Sequence, residues 1–197
     1  MFKIVSVSNR ILCREPFVER IAKISQSGAD YIILREKDLA EEDYETLSRQ
    51  ALENCGEKLI LHSFPKTAQR LEIPKLHLPL PALRNLPLSQ RQWFTILGAS
   101  CHSLDDVKEA EALGCTYVTL GHIFATDCKK GLPPRGLSFL EKIAKQTSLP
   151  IYAIGGITPE NIRLTQEAGA SGACIMSGLM VCKDPQRELE ALKNALK

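Results

Sequence analysis

The sequence lacks a long apolar run, a cysteine pair and an excess of charge of either sign. No stretch approaches the length needed to cross a bilayer, and the first residues lack the apolar segment and cleavage site of a secretory signal. The seven cysteines are scattered with no CxxC spacing, which suits neither a disulfide framework nor a zinc site. A net charge of +2 is too small to indicate a nucleic acid or a membrane as partner. The cytoplasm is therefore the expected compartment, and any recognition of anions must be local.

What the sequence has instead is a regular alternation of short apolar runs with segments of helical periodicity. Its 197 residues, 44% of them hydrophobic, suit one globular domain over residues 1–197. The alternation indicates parallel strands joined by helices. Eight strands are predicted, at residues 2–8, 31–35, 58–63, 75–80, 94–100, 117–122, 150–155 and 173–177. We therefore expect an α/β fold, a single-domain (β/α)8 TIM barrel, with a doubly wound open sheet as the alternative.

Glycines and capping residues indicate where helices end and begin. Three glycines shortly before strands are predicted to end helices in the left-handed conformation: Gly28, Gly114 and Gly169. Ser103 is a predicted N-cap, and so is Thr158, with Pro159 in the first turn of its helix. Residues 79–92 hold three prolines where a helix is expected, so this is the weakest of the eight units.

Polar residues at the strand ends are the candidate site residues, because parallel barrels bind ligands in the loops that follow the strands. The predicted substrate-binding residues are Arg35, Lys37, Ser100, His102, Thr126, Lys129, Gly155, Gly156, Ser177 and Gly178. The last four predict a phosphate site of backbone N–H groups, with simple tight turns as the alternative. The cations would attract a second anionic group, with one of Lys129 and Lys130 pointing inward. Alternatively, residues 35–38 form a solvated turn.

Histidines are the candidates for proton transfer near neutral pH. His122, at the end of the sixth strand, is the first candidate for the catalytic residue, and a hydrogen-bonded structural histidine is the alternative. His102 and His62 are second candidates. His77 lies within the fourth strand and is expected to be structural.

Two other chemistries are less favoured. Cys101 and Cys128 lie in strand-end loops, where a nucleophile could act, but adjacent residues such as Cys101 and His102 seldom point at one another. A magnesium site requires carboxylates, and the candidates Glu36, Asp38 and Asp127 show no diagnostic spacing. We therefore predict neither a metal nor another cofactor.

Five motifs at successive strand ends resemble those of the thiamine phosphate synthase superfamily. They are LREKDL (34–39), GASCHS (98–103), GHIFATDCKKG (121–131), AIGGITPEN (153–161) and IMSG (175–178). The resemblance runs along nearly the whole chain and implies a (β/α)8 barrel. Within this superfamily, the synthases couple a pyrimidine pyrophosphate to a thiazole phosphate with Mg²⁺. Synthases typically carry Asn-Asp after the third strand and HLGQ-x-D after the fourth, whereas this chain has His62-Ser63 and HLPLPAL (77–83).

The GHxFxTDCKKG pattern is similar to that of the TenI branch of this superfamily, the thiazole tautomerases. The resemblance implies that a carboxythiazole phosphate tautomer becomes the aromatic thiazole by a proton shift, with neither metal nor redox cofactor. It implies His122 as the acid–base residue, the glycine loops as the phosphate site, and Arg35 and Lys37 as candidates for holding the carboxylate. A small phosphorylated thiazole is the expected partner, and the sequence is compatible with a homodimer. The synthase, or a non-catalytic regulatory or ligand-binding protein, is the alternative.

Overall fold

Eight parallel strands close into a barrel in the computed structural model, which describes residues 1–197. Each strand pairs with the next along the chain, and the eighth pairs with the first. The strands are β1 (Lys3–Val7), β2 (Tyr31–Leu34), β3 (Leu59–His62), β4 (Lys75–Pro79), β5 (Ile96–Cys101), β6 (Tyr117–Gly121), β7 (Ile151–Ile154) and β8 (Gly172–Ile175). The predicted (β/α)8 barrel is confirmed, and the open sheet is wrong because β1 and β8 are hydrogen-bonded to each other.

Helices follow every strand and surround the barrel. They are α1 (Phe17–Gln26), α2 (Glu41–Cys55), α3 (Pro65–Arg70), α4 (Leu80–Arg84), α5 (Leu88–Arg91), α6 (Leu104–Ala112), α7 (Leu137–Ala144), α8 (Ile162–Glu167), α9 (Ser177–Val181) and α10 (Pro185–Asn194). Residues 79–92, the weakest predicted unit, form α4 and α5. These short helices start directly after Pro79 and Pro87, where a missing N–H costs little. No helix combines the length and the apolar character that a membrane span requires.

The predicted helix ends are confirmed, but one predicted start is wrong. Positive φ angles occur at Gly28 (89°), Gly114 (87°) and Gly169 (93°). Ser103 caps α6, its hydroxyl accepting from the Asp106 N–H at 3.0 Å.

The prediction that Thr158 is the N-cap of a helix is wrong, because α8 begins only at Ile162. The Asn161 side chain accepts from the Thr158 N–H and donates to the Gly156 carbonyl, each at 2.9 Å. These two bonds fold the segment as a turn before the helix, so Thr158 does not cap it.

The barrel interior is a separate apolar cluster inside the larger core that packs strands against helices. Its buried members are Val5, Val7, Ile33, Ile60, Tyr117 and Cys174. Gly98 makes room for Tyr117, since a Cβ at Gly98 would lie 2.2 Å from the Tyr117 ring. The Tyr117 hydroxyl lies 2.9 Å from His77 Nδ1. The packed interior thus supports polar side chains at the carboxyl ends of the strands.

Candidate active site

A cavity of about 490 Å³ opens at the carboxyl ends of the strands, a size that suits a small ligand. All the site residues predicted from the sequence line it: Arg35, Lys37, Ser100, His102, His122, Thr126, Lys129, Gly155, Gly156, Ser177 and Gly178. Lys130 does not line it, in agreement with the expectation that one lysine of the pair points inward. The fold therefore brings all these strand ends together at one place.

His122 directly follows β6, and the peptide group that joins it to Ile123 is held by two hydrogen bonds. The Ile123 N–H donates to the Ile154 carbonyl at 2.9 Å, and the His122 carbonyl accepts from the Arg135 N–H at 3.0 Å. The half-buried imidazole has one hydrogen-bonding contact within the protein, its Nε2 lying 3.4 Å from the Leu132 carbonyl. This long contact leaves the ring available to a ligand in the cavity.

Gly155 and Gly156 pack against the loop that carries His122. Both have positive φ angles, 101° and 65°. A Cβ at Gly155 would lie 2.4 Å from the Cβ of His122, and one at Gly156 would lie 2.3 Å from the Ala125 carbonyl oxygen. The glycines therefore have a structural role in placing His122, beside any role in binding phosphate.

The cationic side of the cavity is formed by Arg35, Lys37 and Lys129, and none of the three forms an ion pair. The pKa of Lys37 lies below its ordinary value because of partial burial and the positive charges of Arg35 and Lys129. Ser8 fixes the Arg35 backbone by accepting from its N–H at 2.8 Å. An unneutralised cluster of this kind favours an anionic ligand.

Neighbouring carboxylates are engaged elsewhere. Buried Glu36 accepts from the Ser8 hydroxyl at 2.6 Å and from the Arg10 backbone N–H. The Arg10 guanidinium also pairs with Asp38. Asp127 is exposed and does not line the cavity. These three candidate metal ligands thus do not converge.

Two further histidines, His62 and His77, form the buried floor of the cavity. Both nitrogens of His77 have partners, the Tyr117 hydroxyl and the Ser100 hydroxyl, each at 2.9 Å, which fits the structural role expected for it. Burial lowers the pKa of His62 to about 2 and that of His77 to about 3. Both rings are therefore neutral near pH 7, which disfavours His62 as the acid–base residue.

The structure disfavours a cysteine nucleophile at Cys101, whose side chain is buried and whose pKa burial raises to about 12. Cys128 is exposed at the rim.

Glu188, on α10, also lines the cavity, although the sequence analysis did not predict it as a site residue. A Cβ at Gly178 would lie 3.7 Å from Glu188 Oε1. Partial burial and the nearby Glu160 raise the pKa of this carboxyl above its ordinary value. No motif in the sequence pointed to it.

Comparison with known proteins identifies the family. Residues 4–179 match the family model described as thiamine monophosphate synthase. The chain belongs to this family. A thiamine-phosphate synthase of Syntrophomonas wolfei is 29% identical over 202 residues, covering 98% of this chain and 95% of that protein. One from Natronomonas pharaonis is 31% identical, covering 87% and 83%.

Solved structures of the family give the same result. A thiamine phosphate pyrophosphorylase from Pyrococcus furiosus superposes with a TM-score of 0.84 at 25% identity, covering 99% of this chain and 95% of that one. Together these similarities place the chain in an enzyme family of thiamine biosynthesis.

The Mg²⁺ implied for synthases of this family does not fit the side chains present here. Mg²⁺ prefers oxygen ligands, usually with one or two carboxylates. His62 and Pro79 line the cavity at the ends of β3 and β4, and Glu188 is the one carboxylate in its wall. No group of three or more His, Cys, Asp or Glu side chains is arranged to hold a metal ion.

Proposed function

We propose that this chain is a thiazole tautomerase, an isomerase that aromatises a carboxythiazole phosphate tautomer. The observation that carries the proposal is the make-up of the cavity wall. It combines an imidazole, His122, with three unpaired cations, and it holds one carboxylate, Glu188. This set suits proton transfer on an anionic ligand better than it suits pyrophosphate chemistry assisted by Mg²⁺.

The reaction is a proton shift in which atoms and electrons balance. The proton leaves the ring carbon that bears the carboxylate, the electron pair of that C–H bond forms a new ring double bond, and the existing ring double bond shifts by one position towards the exocyclic double bond. The electron pair of the exocyclic double bond takes up a proton at the exocyclic carbon. One imidazole can accept the first proton and deliver the second, provided that both carbons lie within its reach.

Two groups of residues in the cavity wall would hold the substrate in that position. Gly155, Gly156 and the first turn of α9 would bind the phosphate, since the first amides of a helix have no partner within it. Arg35 and Lys37, which follow β2, would hold the carboxylate. Binding energy from both anions would thus fix the reacting carbons beside His122.

Thiamine-phosphate synthase is the second candidate, and the relatives favour it. Those described above are named synthase or pyrophosphorylase, and two of them align with nearly the whole chain. If the chain is a synthase, it needs ligands for the pyrophosphate and its metal other than the carboxylates expected after β3 and β4.

The proposal is tested by replacing His122 with alanine. General acid–base catalysis typically contributes about 100- to 10,000-fold, so turnover of the tautomer should fall by that order. Binding of the aromatic product should weaken by about 0.5–1.5 kcal/mol at most, the contribution of one neutral hydrogen bond. His102→Ala is the matched control, since His102 lines the same cavity and its Nδ1 contacts the Gly121 carbonyl. Near-normal turnover in the His122 variant would overturn the mechanism, and loss only in the His102 variant would move the role to β5.

A further inference from the structure

His62 occupies a position in the cavity that the proposed reaction does not yet use. It is the last residue of β3, and its side chain is 4% exposed. Leu61 of β3 pairs with Leu34 of β2, so His62 and Arg35 stand at the same level on neighbouring strands. Adjacent strands lie about 4.8 Å apart, so the two side chains line adjoining parts of the cavity wall.

The His62 ring is held in one orientation. Its Nδ1 lies 2.6 Å from the Ser63 hydroxyl, and its ring stacks on His77 with centroids 5.8 Å apart. Ser63 has a φ of 70°, a left-handed conformation that is uncommon for residues other than glycine. The Ser63 N–H donates to the His77 carbonyl at 3.1 Å, which holds this conformation in place. Strained backbone that fixes a side chain in a cavity is frequent at binding sites.

One ring nitrogen of this histidine pair has no protein partner. His77 uses both of its nitrogens, on Tyr117 and Ser100, and His62 uses Nδ1 on Ser63. His62 Nε2 is the nitrogen left over, on a buried side chain that lines the cavity. His62 Nε2 is not one of the fully buried polar atoms that lack a partner, so it is accessible from the cavity, where a ligand can form a hydrogen bond with it.

We propose that His62 Nε2 carries its proton and donates a hydrogen bond to the substrate carboxylate beside Arg35, so that His62 selects carboxylated ligands. The inference rests on the proposed tautomerase function. The Ser63 hydroxyl donates to Nδ1 in this arrangement, which leaves the ring proton on Nε2. Arg35 supplies the charge for the carboxylate, and His62 supplies a directed donor.

His62 acts in binding and not as a proton carrier. Burial, followed by the positive charges of His77, Arg35 and Lys37, lowers its pKa far below neutral pH. A neutral imidazole adds no further positive charge beside Arg35 and Lys37, and it can still donate. Its removal should therefore raise KM for the tautomer more than it lowers kcat.

The test measures the binding of two ligands by calorimetry. These are the aromatic carboxythiazole phosphate and the thiazole phosphate that lacks the carboxylate. His62→Phe keeps an aromatic ring against His77 but removes the donor. It should weaken binding of the carboxylated ligand by about 10- to 100-fold, the loss typical of a hydrogen bond to a charged group, and that of the other ligand by less than about 3-fold. His62→Gln keeps an N–H donor and should retain part of the preference.

His62→Leu is the second donor-free variant, for use if the larger ring does not fold. Equal losses for both ligands would show a merely structural role, and an unchanged preference for the carboxylated ligand would show no role. Either result overturns the inference. A wild-type protein that binds neither ligand, or binds them without converting the tautomer, refutes the proposed function itself. A wild-type protein that converts the tautomer while His62→Phe keeps the preference refutes only the role of His62.

Discussion

Replacing Gly155 with alanine should lower kcat by displacing His122, although the substitution removes no group that binds the substrate or reacts with it. Gly155 has a φ of 101°, and an added Cβ would lie 2.4 Å from the Cβ and 2.8 Å from the Cα of His122. Contacts this short force one of the two segments to move. The hydrogen bond from the Ile123 N–H to the Ile154 carbonyl ties the segment that carries His122 to the end of β7, directly before Gly155. A shift of either segment therefore displaces His122.

Two separate costs follow from this substitution. The left-handed conformation costs a residue with a side chain about 1–3 kcal/mol, which lowers Tm by roughly 2–12 °C in a domain of this size. The shift of His122 affects turnover, because a displacement of about 1 Å at a reacting group can reduce the rate by about 100-fold. We therefore expect a moderate loss of stability and a large loss of kcat.

Gly114→Ala separates the two costs. Gly114 has a φ of 87°, but a Cβ there would have no atom within 4 Å. This variant should lose a similar amount of Tm from backbone strain and retain full turnover. Thermal melts and tautomer turnover are measured for both variants. If Gly155→Ala keeps wild-type kcat, or if both variants lose kcat equally, the idea that Gly155 positions His122 is wrong.

Three further predictions concern the metal, pH and the phosphate. Tautomer turnover should be unchanged in EDTA, because carboxylate ligands for a metal are lacking at the ends of β3 and β4. A loss of turnover in EDTA that Mg²⁺ restores would contradict this prediction. Lowering the pH from 7 to 5 should reduce the free energy of unfolding by about 2 kcal/mol for each of His62 and His77. The sign follows because the unfolded chain takes up these protons near pH 6.5, whereas the folded-state pKa values are about 2 and about 3. Denaturant titrations at both pH values should show about half of this change in His62→Gln, and an equally large change in that variant would refute the assignment. Ser177→Ala should weaken binding of thiazole phosphate by about 10-fold, as measured by calorimetry. Ser171→Ala, at an exposed serine, is the control. Unchanged affinity in the Ser177 variant would place the phosphate elsewhere.

Much of the fold could be predicted because the signals are local. Strands buried on both faces must be apolar nearly throughout, which made runs such as residues 31–35 recognisable. Gly114 and Gly169 mark helix ends because glycine adopts the left-handed conformation without cost. The start of α8 could not be predicted, because the Asn161 side chain competes for the Thr158 N–H and delays the helix.

The residues around the cavity could be predicted only as strand-end loops. The pairing of His62 with His77 depends on the register between β3 and β4, which no periodicity within one strand reveals. Glu188 reaches the cavity through the packing of α10, which lies after the last strand. The collision that a side chain at Gly155 would make with His122 depends on two segments far apart in the sequence. Tertiary contacts of this kind leave no local pattern.

The most direct test of the central claim is a side-by-side assay of the purified protein on two substrate sets. One is the carboxythiazole phosphate tautomer alone in EDTA, and the other is pyrimidine pyrophosphate with thiazole phosphate and Mg²⁺. We expect rapid aromatisation of the tautomer, its loss in His122→Ala, and no coupling above background. Efficient coupling together with tautomer conversion no faster than the uncatalysed rate would show that the chain is a synthase and not a tautomerase.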